Sequence, residues 1–194
     1  MSADFIANFN WVDIVVITIL LRAGYIAMKT GIPLEIFKFL GSLTCIYLAC
    51  HYYTALSDFL RQFIPGDPIP LAFMDFLSFL LLVIIGYIVF ILLREIFRHL
   101  IMKAGSDNVL FKWLGLGLGL VRGYLTASLV VFAMVISTTS YLKNSVEHSY
   151  SGKKLFEVCP SVYSWTWNNI ASKVMVGEKY NATIDEVKEG FNTP

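Results

Sequence analysis

Four charged side chains stand inside or at the edge of apolar sequence: Asp13, Arg22, Asp75 and Arg122. A charge at the centre of a bilayer costs about 3 kcal/mol on insertion scales and more in simulations, so each of them demands a partner, an interface or a function. Two kinds of chemistry would use them. One is an ion or proton path between helices. The other is a polar pocket shared with a charge from another helix. Asp13 and Arg22 are nine positions apart, and a helix turns about 100° per residue, so they point to opposite faces and cannot pair with each other.

Other chemistries find little support. The three cysteines exclude a disulfide framework: Cys45 and Cys50 point to different helix faces, and Cys159 stands alone in the tail. No Cys/His spacing suits zinc, so no metal site is expected. His51, His99 and His148 are scattered and read as interfacial or solvated. "GLGLGLVRG" (115–123) fails as a dinucleotide fingerprint, since Leu120 occupies the third glycine position and no strand precedes it. A P-loop is absent, as is the separated Ser/His or paired Asp arrangement of an intramembrane protease. No cofactor is expected, and the net charge of +1 gives no footing for nucleic acid.

The elements that must carry these residues are membrane helices. Of 194 residues, 57% are hydrophobic and 15% charged, against about 45–50% and about 25% in soluble domains. Apolar runs place spans at about Trp11–Met28, Ile36–Tyr53 and Leu71–Leu93, and a fourth within Leu114–Leu142. The expected class is therefore an all-α membrane protein. Four transmembrane helices make up residues 1–138, and an extramembrane tail follows over 139–194. "IPGDPIP" (64–70) is a turn. The opening "MSADFIANFNWVD" is acidic and lacks a small-residue cleavage site, so it does not read as a secretory signal peptide. Arg22, Lys29 and Lys38 gather around the first connection, and Arg94, Arg98, Lys103, Lys112 and Arg122 around the third. The positive-inside rule puts both connections in the cytoplasm and both termini outside, which is the periplasm in a Gram-negative cell.

In the tail, Pro160 suits a helix first turn. Tyr163, Trp167, Ile170 and Val174 then recur at helical spacing. An amphipathic helix on the outer membrane surface and a lid packed on the bundle both fit that pattern. "NAT" at Asn181 also matches a glycosylation triplet.

Glycine weakens a helix by about 1 kcal/mol relative to alanine, yet the fourth span opens with several. Gly115, Gly119, Gly123 and Ala127 fall on one stripe. Ala23, Ala27 and Gly31 make a second stripe, and Gly41, Cys45 and Ala49 a third. Small residues every four positions let backbones approach closely in lipid. Packing within the chain and self-association both use such stripes. Arg122 lies about 12 Å into its run if the helix starts at Leu114. It either snorkels to the cytoplasmic surface or faces a polar pocket with Asp13 or Asp75. A third reading starts the span near Gly123 and leaves Leu114–Val121 interfacial or re-entrant.

These residues resemble a known family. "NWVDIVVITIL" (10–20) looks like the opening of the colicin V production protein (CvpA) family, with its Asn-Trp-x-Asp lead-in to the first membrane helix. The likeness continues through Gly31, Glu35, Gly41 and Ala49 in "GIPLEIFKFLGSLTCIYLA". It closes with Gly115, Gly119, Arg122 and Gly123. Ala27 departs from the pattern where glycine is frequent, Pro33 interrupts the stretch before Glu35, and Phe111 stands where an aspartate is expected. The resemblance implies a four-span bacterial inner-membrane protein with no catalytic chemistry, tied to production or release of a secreted peptide toxin and to envelope functions. On that reading the partners are the lipid bilayer, a second copy of the chain or another membrane protein. Glu35, Arg122 and the basic third connection would fix the cytoplasmic face or dock the partner. The competing expectation is a small transporter or channel built on Asp13, Arg22, Asp75 and Arg122.

Overall fold

The computed structural model describes residues 9–64, 69–101, 109–137 and 139–192. The middle of the "IPGDPIP" turn and Lys103 lie outside these residues. Four long helices lead the chain: α1 (Trp11–Thr30), α2 (Ile32–Arg61), α3 (Leu71–Ile101) and α4 (Val109–Ile136). All four are long and apolar enough to cross a membrane. The tail folds as α5 (Ser140–Glu147), α6 (Gly152–Thr166), a π-helical turn (Trp167–Ala171), the single turn α7 (Ser172–Val174) and α8 (Thr183–Asn192).

Local chemistry explains the helix ends. Asn10 caps α1, its side chain accepting the Val12 N–H at 2.8 Å, while Asp13 reaches back to the Asn10 N–H at 3.0 Å. Together they form a capping box with Asp in place of the usual Glu. One residue, Gly31 at φ 74°, separates α1 from α2. That left-handed angle favours glycine, and it lets two spans reverse with no loop. Pro33 sits in the first turn of α2 and does not interrupt it, because the first helical N–H groups have no intrahelical partner to lose.

In the bundle, α1 packs chiefly on α4 and α3 chiefly on α2, with α4 touching both pairs and the tail. The apolar window of α4 is accordingly 56% buried inside the protein, and that of α3 only 17%. The most apolar span is thus the one left to lipid. The small-residue stripes close the pairs. An added Cβ at Gly123 would fall 2.8 Å from the Ala23 methyl, and one at Gly119 would overlap the Ala27 methyl. An added Cβ at Gly41 would meet Phe90 at 2.6 Å, and one at Gly86 would meet the Cys45 Sγ at 2.8 Å. All three stripes are therefore occupied within the chain: the first two against each other, the third against α3.

The tail is a lid on the bundle. Tyr53, Phe79, Phe132, Phe156 and Phe191 form a continuous aromatic run from α2 through α3, α4 and α6 to α8, with ring centroids 4.3–6.0 Å apart. Each such pair contributes about 1 kcal/mol beyond its burial. Two expectations for the tail give way here. Pro160 is buried inside α6, not in its first turn. Tyr163 is fully buried, but Ile170 and Val174 are exposed, so the four-residue stripe does not hold. The π-helical turn between them shifts the helix phase and rotates the later residues off the buried face.

Cys50 of α2 and Cys159 of α6, both fully buried, approach to 3.3 Å between sulfurs. Mild oxidation of the detergent-solubilised chain is expected to join them into an intramolecular disulfide, seen as faster migration on a non-reducing gel. Equal migration of the oxidised chain and of Cys159→Ser would mean the tail does not sit there.

Candidate functional site: a buried carboxylate and a basic cavity

Asp13 is spent on the tail. Its Oδ1 accepts the Ser151 N–H at 2.9 Å and hydroxyl at 2.6 Å, and its Oδ2 accepts the Tyr150 N–H at 3.3 Å. Beside it, Asn10 donates to the Ser145 carbonyl at 2.7 Å and the Trp11 indole N–H to the Ser145 hydroxyl at 3.2 Å. The Asn-Trp-x-Asp lead-in is thus a clamp that starts α1 and fastens α5 and the turn into α6. Asp13→Ala is expected to cost about 2 kcal/mol, from a lost cap and charge-assisted hydrogen bonds. Limited proteolysis should then cut the tail faster while the spans stay protected. Unchanged cleavage would exclude the clamp.

The second tail contact surrounds His51, which is buried rather than solvated. It stacks on Tyr47 and Trp167, each 5.2 Å away between ring centroids. Burial holds the Tyr163 hydroxyl above the ordinary tyrosine range, so it stays protonated. That hydroxyl accepts the Asn181 N–H at 2.9 Å and lies 2.9 Å from His51 Nδ1. On the other side of the ring, His51 Nε2 lies 3.4 Å from the Glu178 carboxylate. Asn181 itself donates to the Cys50 carbonyl at 2.8 Å, so the "NAT" asparagine is a packing residue.

The deepest charge is Glu35, fully buried in the first turn of α2. Its Oε1 accepts the Thr30 hydroxyl at 2.5 Å and an ion pair from Lys38; its Oε2 accepts the Arg122 Nε–H at 3.1 Å. Lys38 also donates to the Thr30 oxygen at 3.1 Å. One carboxylate therefore joins the end of α1, the start of α2 and the middle of α4. This corrects each sequence reading of Arg122. It neither snorkels nor faces Asp13 or Asp75, being 17% exposed and directed at Glu35. Because its charge is met inside the bundle, α4 runs unbroken from Val109, and Leu114–Val121 is part of the span.

Next to this network lies a cavity of about 400 Å³ lined by all four spans. Arg22, Lys38, Arg94 and Arg122 are among its lining residues. Ile19, Cys45, Val83 and Leu129 line it as well. Asp75 belongs elsewhere, lining a pocket of about 240 Å³ with Tyr53, Lys143 and Thr183 near the tail. Of the predicted polar residues, Arg22, Glu35 and Arg122 come together, while Asp13 and Asp75 stay apart. In the sequence, Lys38 and Arg94 stand out only as topology charges. The i,i+3 spacing of Glu35 and Lys38 was the available signal for the first.

Four membrane-length helices whose polar contacts are buried between them define a multi-pass α-helical membrane protein. Residues 12–158 match the family model described as "Colicin V production protein", and the chain belongs to that family. It is a colicin V production-related membrane protein. No curated protein and no solved structure matches the chain.

Proposed function

We propose that the chain is a non-enzymatic accessory of the bacterial inner membrane, supporting production or release of a colicin V-type toxin and envelope upkeep. Both termini and the tail would face the periplasm. The observation that carries the reading is how the polar groups are used: Asp13, Glu35, Arg122 and His51 are committed to holding helices and tail in one arrangement. Such a scaffold suits a subunit that presents a surface to another membrane protein. Its small-residue stripes are closed within the chain, so a partner or second copy would dock on the remaining lipid-facing surface, of which α3 offers the most.

The test is toxin activity in the medium and in cells, with the chain deleted and then restored. The reading expects release to fall on deletion and to recover with the wild-type chain; equal release from both strains would overturn it. In-membrane crosslinking and mass spectrometry would then separate a distinct partner from a second copy. Labelling from outside with an impermeant maleimide tests orientation: Lys154→Cys should react and Lys112→Cys should not. A small transporter is the second reading, supported by Arg22 and Arg122 in one cavity but not by Asp13 or Asp75, which are engaged elsewhere. Anion flux in proteoliposomes, lost in Arg22→Gln, would favour it.

A further inference from the structure

The basic cavity contains more positive charge than Glu35 balances. Arg22, Lys38, Arg94 and Arg122 come from four different helices to line one space. Among the described residues, Glu35 is the carboxylate that reaches any of them, and it is taken by Lys38 and Arg122. The Arg122 Nη2 is buried with no hydrogen-bond partner among the described residues. A buried guanidinium nitrogen left unpaired is unfavourable, and an anionic oxygen beside it would remove that penalty.

The rest of the cavity indicates what carries the anion. Besides the cations, the walls include Ile19, Val83, Phe90 and Leu129. The cavity therefore offers both cations and apolar wall, the two kinds of surface an amphiphile would require. Arg22 on α1 and Tyr87 on α3 are lining residues that remain exposed. The two helices pack on different partners. Leu21 and Tyr25 on α1, with Ile84 and Ile88 on α3, are exposed apolar residues within three positions of lining residues in the sequence. A soluble phosphate would not need these apolar surfaces, whereas a lipid arriving from the bilayer would use them.

We propose that this cavity binds an anionic phospholipid. Its phosphodiester sits among Arg22, Arg94 and the free edge of Arg122, and one acyl chain lies along the Ile19–Leu129 wall. A volume of about 400 Å³ falls within the usual range of ligand pockets and takes a headgroup with part of a chain, leaving the remainder in the bilayer. Basic pockets between transmembrane helices are suited to such headgroups. The site goes beyond the proposed accessory role and does not depend on it.

The experiment is native mass spectrometry of the full chain in detergent, titrated separately with dioleoyl phosphatidylglycerol and dioleoyl phosphatidylcholine. Wild type is expected to retain phosphatidylglycerol at least about tenfold more tightly, because choline brings a further cation to a cationic site. Arg22→Gln with Arg94→Gln, at exposed and half-exposed positions, should weaken phosphatidylglycerol by about thirtyfold and leave phosphatidylcholine unchanged. Ser42→Trp, which fills the cavity and keeps every charge, should weaken it as well. Equal retention of the two lipids by wild type overturns the proposal, even if a variant fails to fold. So does undiminished binding to a folded double variant. Displacement of phosphatidylglycerol by millimolar inorganic phosphate would reassign the site to a soluble anion and overturn the lipid. Toxin release is not read here, so a negative result leaves the accessory role standing.

Discussion

Replacing Glu35 by alanine is expected to destabilise the folded bundle by about 3–5 kcal/mol, the usual loss when one partner of a buried ion pair is removed. Two mostly buried cations lose their carboxylate at once, since Lys38 and Arg122 are 10% and 17% exposed. For a chain of this size the melting temperature should fall on the order of 10 °C. The effect belongs to stranded charge, not to a lost contact, and a companion variant separates the two. Glu35→Met with Lys38→Met and Arg122→Met removes the whole network and should recover much of the stability, as replacement of buried ion pairs by apolar side chains often does. Glu35→Gln, which keeps the shape and a hydrogen bond to Thr30, should fall between them. A Glu35→Ala protein that melts with wild type would mean that the carboxylate does not tie α1, α2 and α4 together.

The second large effect lies at the α1–α4 contact. Gly119→Ala adds a methyl where the Ala27 methyl already stands. Overpacking of that kind costs about 1–3 kcal/mol, and Gly119→Leu should prevent the close approach altogether. Ala27→Gly made together with Gly119→Ala removes the overlap. The added Cβ then meets the Ala23 carbonyl oxygen at 3.3 Å and the Ala27 Cα at 3.6 Å. The changes in helix propensity are opposite in sign and nearly cancel. The double variant is therefore expected within about 1 kcal/mol of wild type, a strongly non-additive pair. Gly117→Ala is the control, because a Cβ there has no neighbour within 4 Å. Additive losses at 27 and 119, or an equal loss at 117, would exclude this packing. The same geometry makes Gly119→Leu a poor probe of partner binding, since it should disrupt the bundle first.

The site was legible in part. Asp13, Arg22, Glu35 and Arg122 stand out because a charge in apolar sequence is rare enough to need a reason. The reason itself was not readable. Arg122 pairs with a residue 87 positions away, while Asp75, which has the same sequence signature, lines a different pocket. Asp13 looked like a membrane charge and is a helix cap and tail clamp, because Ser151 is brought to it only when α5 and α6 fold back. The tail stripe misled, since a π-helical turn changes phase with no marker in composition.

By itself, the sequence determined the class of protein, the number of spans, the basic ends of the first and third connections and the three stripes of small residues. Each of these depends on local hydropathy, local charge or helical period, and survives whatever the helices later touch. Tertiary structure alone decided which stripe meets which, that Ala27 faces Gly119, that Glu35 gathers Thr30, Lys38 and Arg122, and that four cations from four helices line one cavity. Helical period fixes the face on which a residue lies, but not the neighbour that face will meet. That choice rests on the summed packing of all four spans and the tail, which no single stretch of chain contains.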